Sequence, residues 1–293
     1  MSNRFLEAAF ARVLPPNLYV RRAYRRKTGK LLNLANPKDF GEKIQWLKLF
    51  YRNPLLDTLV DKYAVKSFIA DRVGSEFCVP TAAVFDKADD IKLNTLPTAL
   101  ALKATHGSGW NIIEKDKTKL DEAEVQSYFR LFLGKNYYTY SKEYAYKKVI
   151  PRVICEPLLL DENGDIPMDY KVFCFAGKVH YIQVDHDRFT NHTRAFYDRS
   201  WNKMDFSVGF PVSHVLLARP DVFDRMLDVS ENLSRDLPFV RVDFLLARNK
   251  PYINELTLYP GNGMEKFTHE EWDRKLGGLI DIDGFDAHAT KSS

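Results

Sequence analysis

The chain of 293 residues is 45% hydrophobic and 13% aromatic, which supports a large core in one complex domain or two. A formal charge of +4 does not by itself call for nucleic acid, and none is expected as a partner. Three scattered cysteines (Cys78, Cys155, Cys174) form no CxxC pair and argue against a zinc site or a disulfide framework. No apolar run reaches the roughly 20 residues that span a bilayer, and without an apolar leader the chain reads as cytoplasmic.

Residues 3–14 set Phe5, Leu6, Ala9, Phe10, Val13 and Leu14 at helical spacing. This stripe either docks on the protein's own core or, with the arginines that follow, attaches to an anionic membrane surface. The segment RRAYRRKTGK (21–30) carries six basic residues and no acidic ones, so residues 1–30 are the candidate for peripheral contact with an anionic membrane or a lipid-linked glycan, with the inner membrane face as the candidate place. Residues 39–51 read as a helix, and 54–74 as one further helix ending at Gly74. From Val79 the texture changes to strands, in 79–85, 98–115, 152–160, 170–185 and 239–259, with helices expected over 120–134 and 220–237. FCFAGKVHYI reads as a hairpin turning at Ala176-Gly177. The fold class is α+β, with antiparallel sheets behind a helical N-terminal region, and the tail after Leu279 reads as ordered only in part.

The stretch VRVDFLLARNKPYINELTLYPG reads as two strands about a turn at Arg248-Asn249-Lys250. A hairpin symmetric about Asn249 puts Asp243 opposite Glu255 and Arg241 opposite Thr257, all on one face. Facing carboxylates need a cation, a shared proton or solvent. Asp243, Glu255 and the Thr257 hydroxyl form an oxygen-only set that suits Mg²⁺ or Mn²⁺ better than zinc. Arg241 adds a fixed positive charge beside it, useful for phosphate. The plainer alternative is a solvated sheet face of alternating charge.

In LALKATHGSGWNIIEK, the loop Gly107-Ser108-Gly109 separates two strands. Such a loop aims backbone N–H groups at phosphate oxygens or simply turns a hairpin. It is neither a Walker A loop nor a dinucleotide fingerprint. Lys103 lies in an apolar run and needs an anionic partner or an outward path. His106 fits a phosphate donor, a catalytic group or a turn residue.

Together these stretches resemble the ATP-grasp superfamily and, more closely, the TupA-like ATP-grasp proteins, named for teichuronopeptide biosynthesis. The resemblance rests on NPKDFGEKIQWLKLFYRNPL, DKYAVKSFI, LKATHGSGWNII, DYKVFCFAGK, RVDF and ELTLYPGNGMEKF, from about residue 28 to residue 280. It implies two α+β subdomains with antiparallel sheets sandwiching a nucleotide: a basic helical region 1–75, a small subdomain 76–152 and a large one 153–293. It also implies that Lys103 touches the α- and β-phosphates and that His106, Gly107, Ser108 and Gly109 close over them. Lys62 of the DK motif approaches the nucleotide. Glu156 sits at the adenine edge with the Leu158 backbone nearby, and Asp169 falls at the ribose. Asp243, Glu255 and Thr257 hold the metal, Arg241 steadies the transferred phosphoryl group, and Lys171 adds a phosphate contact. Thr257 stands where many of these ligases have Asn, and the α/β domain that often precedes the core is replaced by the basic helical segment.

The activity implied is an ATP- and Mg²⁺-dependent carboxylate–amine ligase working through an acyl phosphate, with a hexuronic acid and an amino acid or amine as substrates in surface-polysaccharide or capsule biosynthesis. A kinase on the same fold needs a general base near its acceptor, for which Asp185, His186 and Asp187 are candidates. A non-catalytic nucleotide- or glycan-binding module is the third reading.

Overall fold

A computed structural model describes residues 13–186 and 191–283. The stripe expected over 3–14 therefore lies, apart from Val13 and Leu14, outside the described residues, as does Asp187. Helix α1 (Pro16–Thr28) opens on proline and closes at Gly29, whose φ of 82° lets its N–H donate to Arg25 O. It buries Val20 and Tyr24 and turns its arginines outward.

Helix α2 (Phe40–Phe50) begins where Glu42 gathers three backbone donors, the N–H groups of Asn33 (3.1 Å), Lys38 (2.8 Å) and Asp39 (3.3 Å). The single helix expected over 54–74 is two, α3 (Leu56–Val60) and α4 (Val65–Val73). Asp61 causes the break: its side chain accepts from the N–H groups of Tyr63 (2.8 Å) and Ala64 (3.2 Å), a local alternative to the helical ladder. The break frees Lys62, whose N–H donates to Thr105 O at 3.3 Å.

Two antiparallel sheets follow. The first has the order β1-β4-β2-β3, formed by β1 (Ala83–Phe85), β2 (Leu100–Ala104), β3 (Asn111–Glu114) and β4 (Val153–Pro157). Leu100, Leu102, Ala104 and Cys155 bury one face against Val125 and Phe129 of α5 (Glu122–Leu133). By strand alternation, Ala101, Lys103 and Glu156 point the other way. The expected division at 152/153 falls just before β4, whose partners β1 and β2 both lie in this sheet.

A short helix, α6 (Tyr138–Ser141), precedes β4, after which the chain passes to the second sheet, of order β7-β6-β5-β8-β9. Its strands are β5 (Asp169–Phe175), β6 (Lys178–His186), β7 (Thr193–Asp198), β8 (Phe239–Ala247) and β9 (Lys250–Thr257). The hairpin at Ala176-Gly177 is present, with φ of 47° and 78°. Helix α7 (Phe223–Ser234) covers one face, burying Val172, Cys174, Val240 and Val242 with Met226 and Leu233. The opposite face is apolar at one end, where Phe40 of α2 meets Phe173, Phe175 and Phe239, and charged at the other. Val20, Ile44, Leu59 and Ile69 join this core, so the N-terminal helices share it with the large sheet. Strand β7 and the last helix, α8 (Glu270–Gly278), carry no expectation from the sequence.

Candidate functional site

The β8–β9 hairpin pairs Arg241 with Thr257 and Asp243 with Glu255, as counting from the turn suggests, but by a different route. The turn has two residues, Arg248 and Asn249, both left-handed (φ 50° and 55°), as a type I′ hairpin requires. That alone shifts the register by one. A bulge between Asp243 and Phe244 shifts it back, leaving Asn254 as the extra residue of β9.

On this face Arg241 grips Asp243 bidentately, Nε to Oδ1 at 2.6 Å and Nη2 to Oδ2 at 2.5 Å. The Thr257 hydroxyl lies 3.2 Å from Glu255 Oε1 and 3.4 Å from Asp243 Oδ2, with one proton to donate between them. Burial pushes the Asp243 carboxyl up against the pull of Arg241. Burial also acts on Glu255, but Lys62, Arg241 and Lys103 outweigh it and hold that carboxyl below its usual range.

A cleft of about 590 Å³ opens between the two sheets. Val79, Ile113, Leu158, Ile166, Met168 and Leu245 line its apolar part. Lys62, Lys103, Glu156, Asp169, Asp185 and Glu255 line the polar end. Lys103 Nζ is 2.7 Å from Glu156 Oε2 and donates to Asn254 Oδ1 at 2.8 Å, so the bulge reaches across to the small sheet. Lys66 holds the other Glu156 oxygen and donates to Val79 O at 2.6 Å. Burial would raise the Glu156 carboxyl; these two lysines keep it low. The Leu158 N–H is already donated to Ala99 O at 3.0 Å, leaving its carbonyl and side chain for a ligand.

The glycine loop holds its shape for two reasons. At Gly107 a Cβ would lie 2.4 Å from the Trp110 ring, whereas Gly109 has open space but a φ of 74°. Ser108 and Gly109 reach the cleft wall, and Lys62 Nζ donates to Gly107 O at 2.6 Å. Tyr137 packs edge-on against the Trp110 ring. His106 turns away. Only 2% exposed, it packs edge-on against Trp110 and places Nε2 3.0 Å from Phe132 O, off the cleft wall. Of its three readings, this geometry fits the turn residue.

Lys171 sits between Asp185, its close partner, and Asp169 at 3.4 Å. Asp185 also accepts from Gln183 (2.9 Å) and Arg194 (2.7 Å). Burial opposes its charge, yet Lys171 and Arg194 hold the carboxyl far below the usual range, which makes it a poor general base. Arg241, Asp243, Thr257 and Lys171 are not on the cleft wall; they bond to the wall residues Glu255 and Asp185 or to one another. Lys66, Asn254 and Arg194 are the site neighbours that sequence reasoning missed. Lys66 had a signal, lying one turn beyond Lys62 in DKYAVK; Asn254 had none without the bulge.

Among the described residues no group of three or more His, Cys, Asp or Glu side chains gathers for a metal. Asp243, Glu255 and Thr257 still offer neighbouring oxygens of the hard type, an incomplete set that fits a cation whose remaining ligands are phosphate and water.

The sequence model of the family described as "TupA-like ATPgrasp" matches residues 42–281. No curated protein matches the chain. Among solved structures, D-alanine–D-alanine ligase from Bacillus anthracis is 16% identical with a TM-score of 0.42, over 70% of this chain and 59% of that one. An ADP complex of N5-carboxyaminoimidazole ribonucleotide synthetase is 15% identical with a TM-score of 0.43, over 70% of this chain and 46% of that one. Phosphoribosylamine–glycine ligase from Thermotoga maritima is 13% identical with a TM-score of 0.42, over 71% and 50%. The chain thus spans about half of their lengths.

Proposed function

Because the chain belongs to the TupA-like ATP-grasp family, we propose that its cleft binds Mg-ATP and that it joins a carboxylate to an amine through an acyl phosphate. One observation carries this reading. Lys62 and Lys103 from one side and Glu255, backed by Arg241 and Asp243, from the other converge on a single cleft with an apolar end. The base lies in the apolar end beside Leu158, the ribose near Asp169, and the phosphates between Lys103 and the backbone of Ser108 and Gly109. Lys62, tied to the loop carbonyl, keeps that backbone in place. Asp243, Glu255 and Thr257 hold the cation, which neutralises charge on the phosphates. Arg241, bound to Asp243 behind the wall, steadies the transferred phosphoryl group through that carboxylate and its cation, and Lys171 acts in the same indirect way through Asp185.

The acceptor carboxylate is a hexuronic acid and the second substrate an amino acid or amine, in surface-polysaccharide biosynthesis. The family name supports this step, and the seven Lys/Arg without Asp/Glu over residues 16–38 favour an anionic partner or membrane surface. Among the described residues no helix is long and apolar enough to cross a membrane.

The test is release of ADP and phosphate from ATP. The ligase reading expects it only with both a uronic acid or other carboxylate and an amine present, and expects Glu255→Gln to abolish it while the protein stays folded. A stable phosphate ester in place of an amide would establish the kinase instead; unchanged thermal stability with Mg-ATP would favour the binding module.

A further inference from the structure

We infer that Lys66 is a positioning residue of the nucleotide site: by sharing Glu156, it sets how readily Lys103 leaves that carboxylate for a phosphate. The inference rests on the ATP-binding reading above. Glu156 stands on β4 facing the cleft, its side chain 5% exposed. It touches two cations at once, Lys103 through Oε2 at 2.7 Å and Lys66 through Oε1. A buried carboxylate that loses its only cation is left uncompensated, which is strongly unfavourable. With two, it can release one and remain paired.

The two lysines are not equivalent. Lys103 lines the cleft, and its second contact is the neutral amide oxygen of Asn254 at 2.8 Å. Lys66 is off the cleft wall, with its Nζ fixed by Val79 O at 2.6 Å. Lys103 is therefore the one that can turn to a triphosphate, and Lys66 the one that stays. The break at Asp61 makes this possible. Lys62 goes to Gly107 O, while Lys66, one turn later on α4, goes to Glu156. The start of one short helix thus serves both the glycine loop and the lysine beneath it.

The experiment measures affinities of the full chain for Mg-ATP, Mg-ADP and adenosine by calorimetry, with thermal midpoints as a check on folding. Lys66→Met leaves Glu156 holding Lys103 alone, so ATP and ADP are expected to bind at least about tenfold more weakly. Adenosine, which has no phosphate for Lys103 to meet, is expected to bind as before. Lys66→Arg should keep most of the affinity. Lys66→Gln, which keeps a donor for Val79 O, gives the same comparison if Lys66→Met does not fold. Equal ATP affinity in wild type and Lys66→Met, equal weakening of adenosine, or a Lys66→Arg variant as weak as Lys66→Met overturns the assignment. A wild type that binds no nucleotide sinks the ATP-binding reading itself, a distinct result.

Discussion

Replacing Gly107 by Ala tests whether the loop is held by packing. The new methyl would lie 2.4 Å from Trp110 Cε3 and 2.6 Å from Cζ3. Ordinary carbon contacts are about 3.5–4.0 Å, so the ring or the loop must give by roughly an ångström. The ring has little room: His106, Phe132 and Tyr137 surround it at centroid distances of 5.2, 4.8 and 5.4 Å. Overpacking of this kind costs about 1–3 kcal/mol, and each kcal/mol lowers the midpoint by roughly 2–4 °C in a chain of this order of size. Gly109→Ala is the control, since it meets no atom within 4 Å and bears only the strain of its positive φ. Thermal melts with and without Mg-ATP read both effects. Gly107→Ala should melt lower and lose part of the ATP-induced rise, because Ser108 and Gly109 move with the ring. A variant that melts within a degree of wild type and keeps the full rise would refute the packing argument.

Three further outcomes are expected. Thr257→Asn, which exchanges a hydroxyl for an amide oxygen, should keep or lower the Mg²⁺ concentration needed for ATP turnover; a higher requirement would remove Thr257 from the metal set. Changing Arg21, Arg22, Arg25 and Arg26 together to Ala should weaken binding to phosphatidylserine vesicles, read by sedimentation, by up to roughly a thousandfold, at about 1 kcal/mol per basic residue, while leaving ATP affinity unchanged. Equal loss of both would mean that α1 serves folding instead. Glu143 is buried near Lys48, Lys62 and Glu255, and burial raises its carboxyl above the ordinary 4.5. The folded state then holds the proton more tightly, so the stability it contributes is present below the unfolded value and lost as pH rises through the folded one. Glu143→Gln should therefore gain on wild type between about pH 5 and about pH 8 in urea melts, and a constant difference would contradict the shift.

The sequence made the large sheet legible because its strands alternate cleanly: Val240, Val242 and Phe244 on one face, Arg241 and Asp243 on the other. It made the facing carboxylates legible for the same reason. The break between α3 and α4 was hidden, because Asp61 competes for backbone donors without disturbing the apolar spacing around it. His106 looked available beside the loop, and only the packing of Trp110 and Phe132 shows that it points inward. The contacts of Lys66 and Asn254 join residues 90 and 151 positions apart, and no local pattern encodes such distances, while Arg194 meets Asp185 across β6 and β7, a pairing the sequence did not announce.

The two-residue turn at Arg248-Asn249 and the bulge at Asn254 bear on how this hairpin can change over time. A loop that took in Lys250 as a third residue would, by itself, slide Glu255 out of line with Asp243 and flip the outer strand's polarity. Losing the bulge would restore the alignment, but it would also withdraw the amide that reaches Lys103. Loop length at one end of the hairpin and cross-sheet contact at the other are therefore inherited as one trait, and lineages that lengthen the tip should lack an amide partner for the strand lysine.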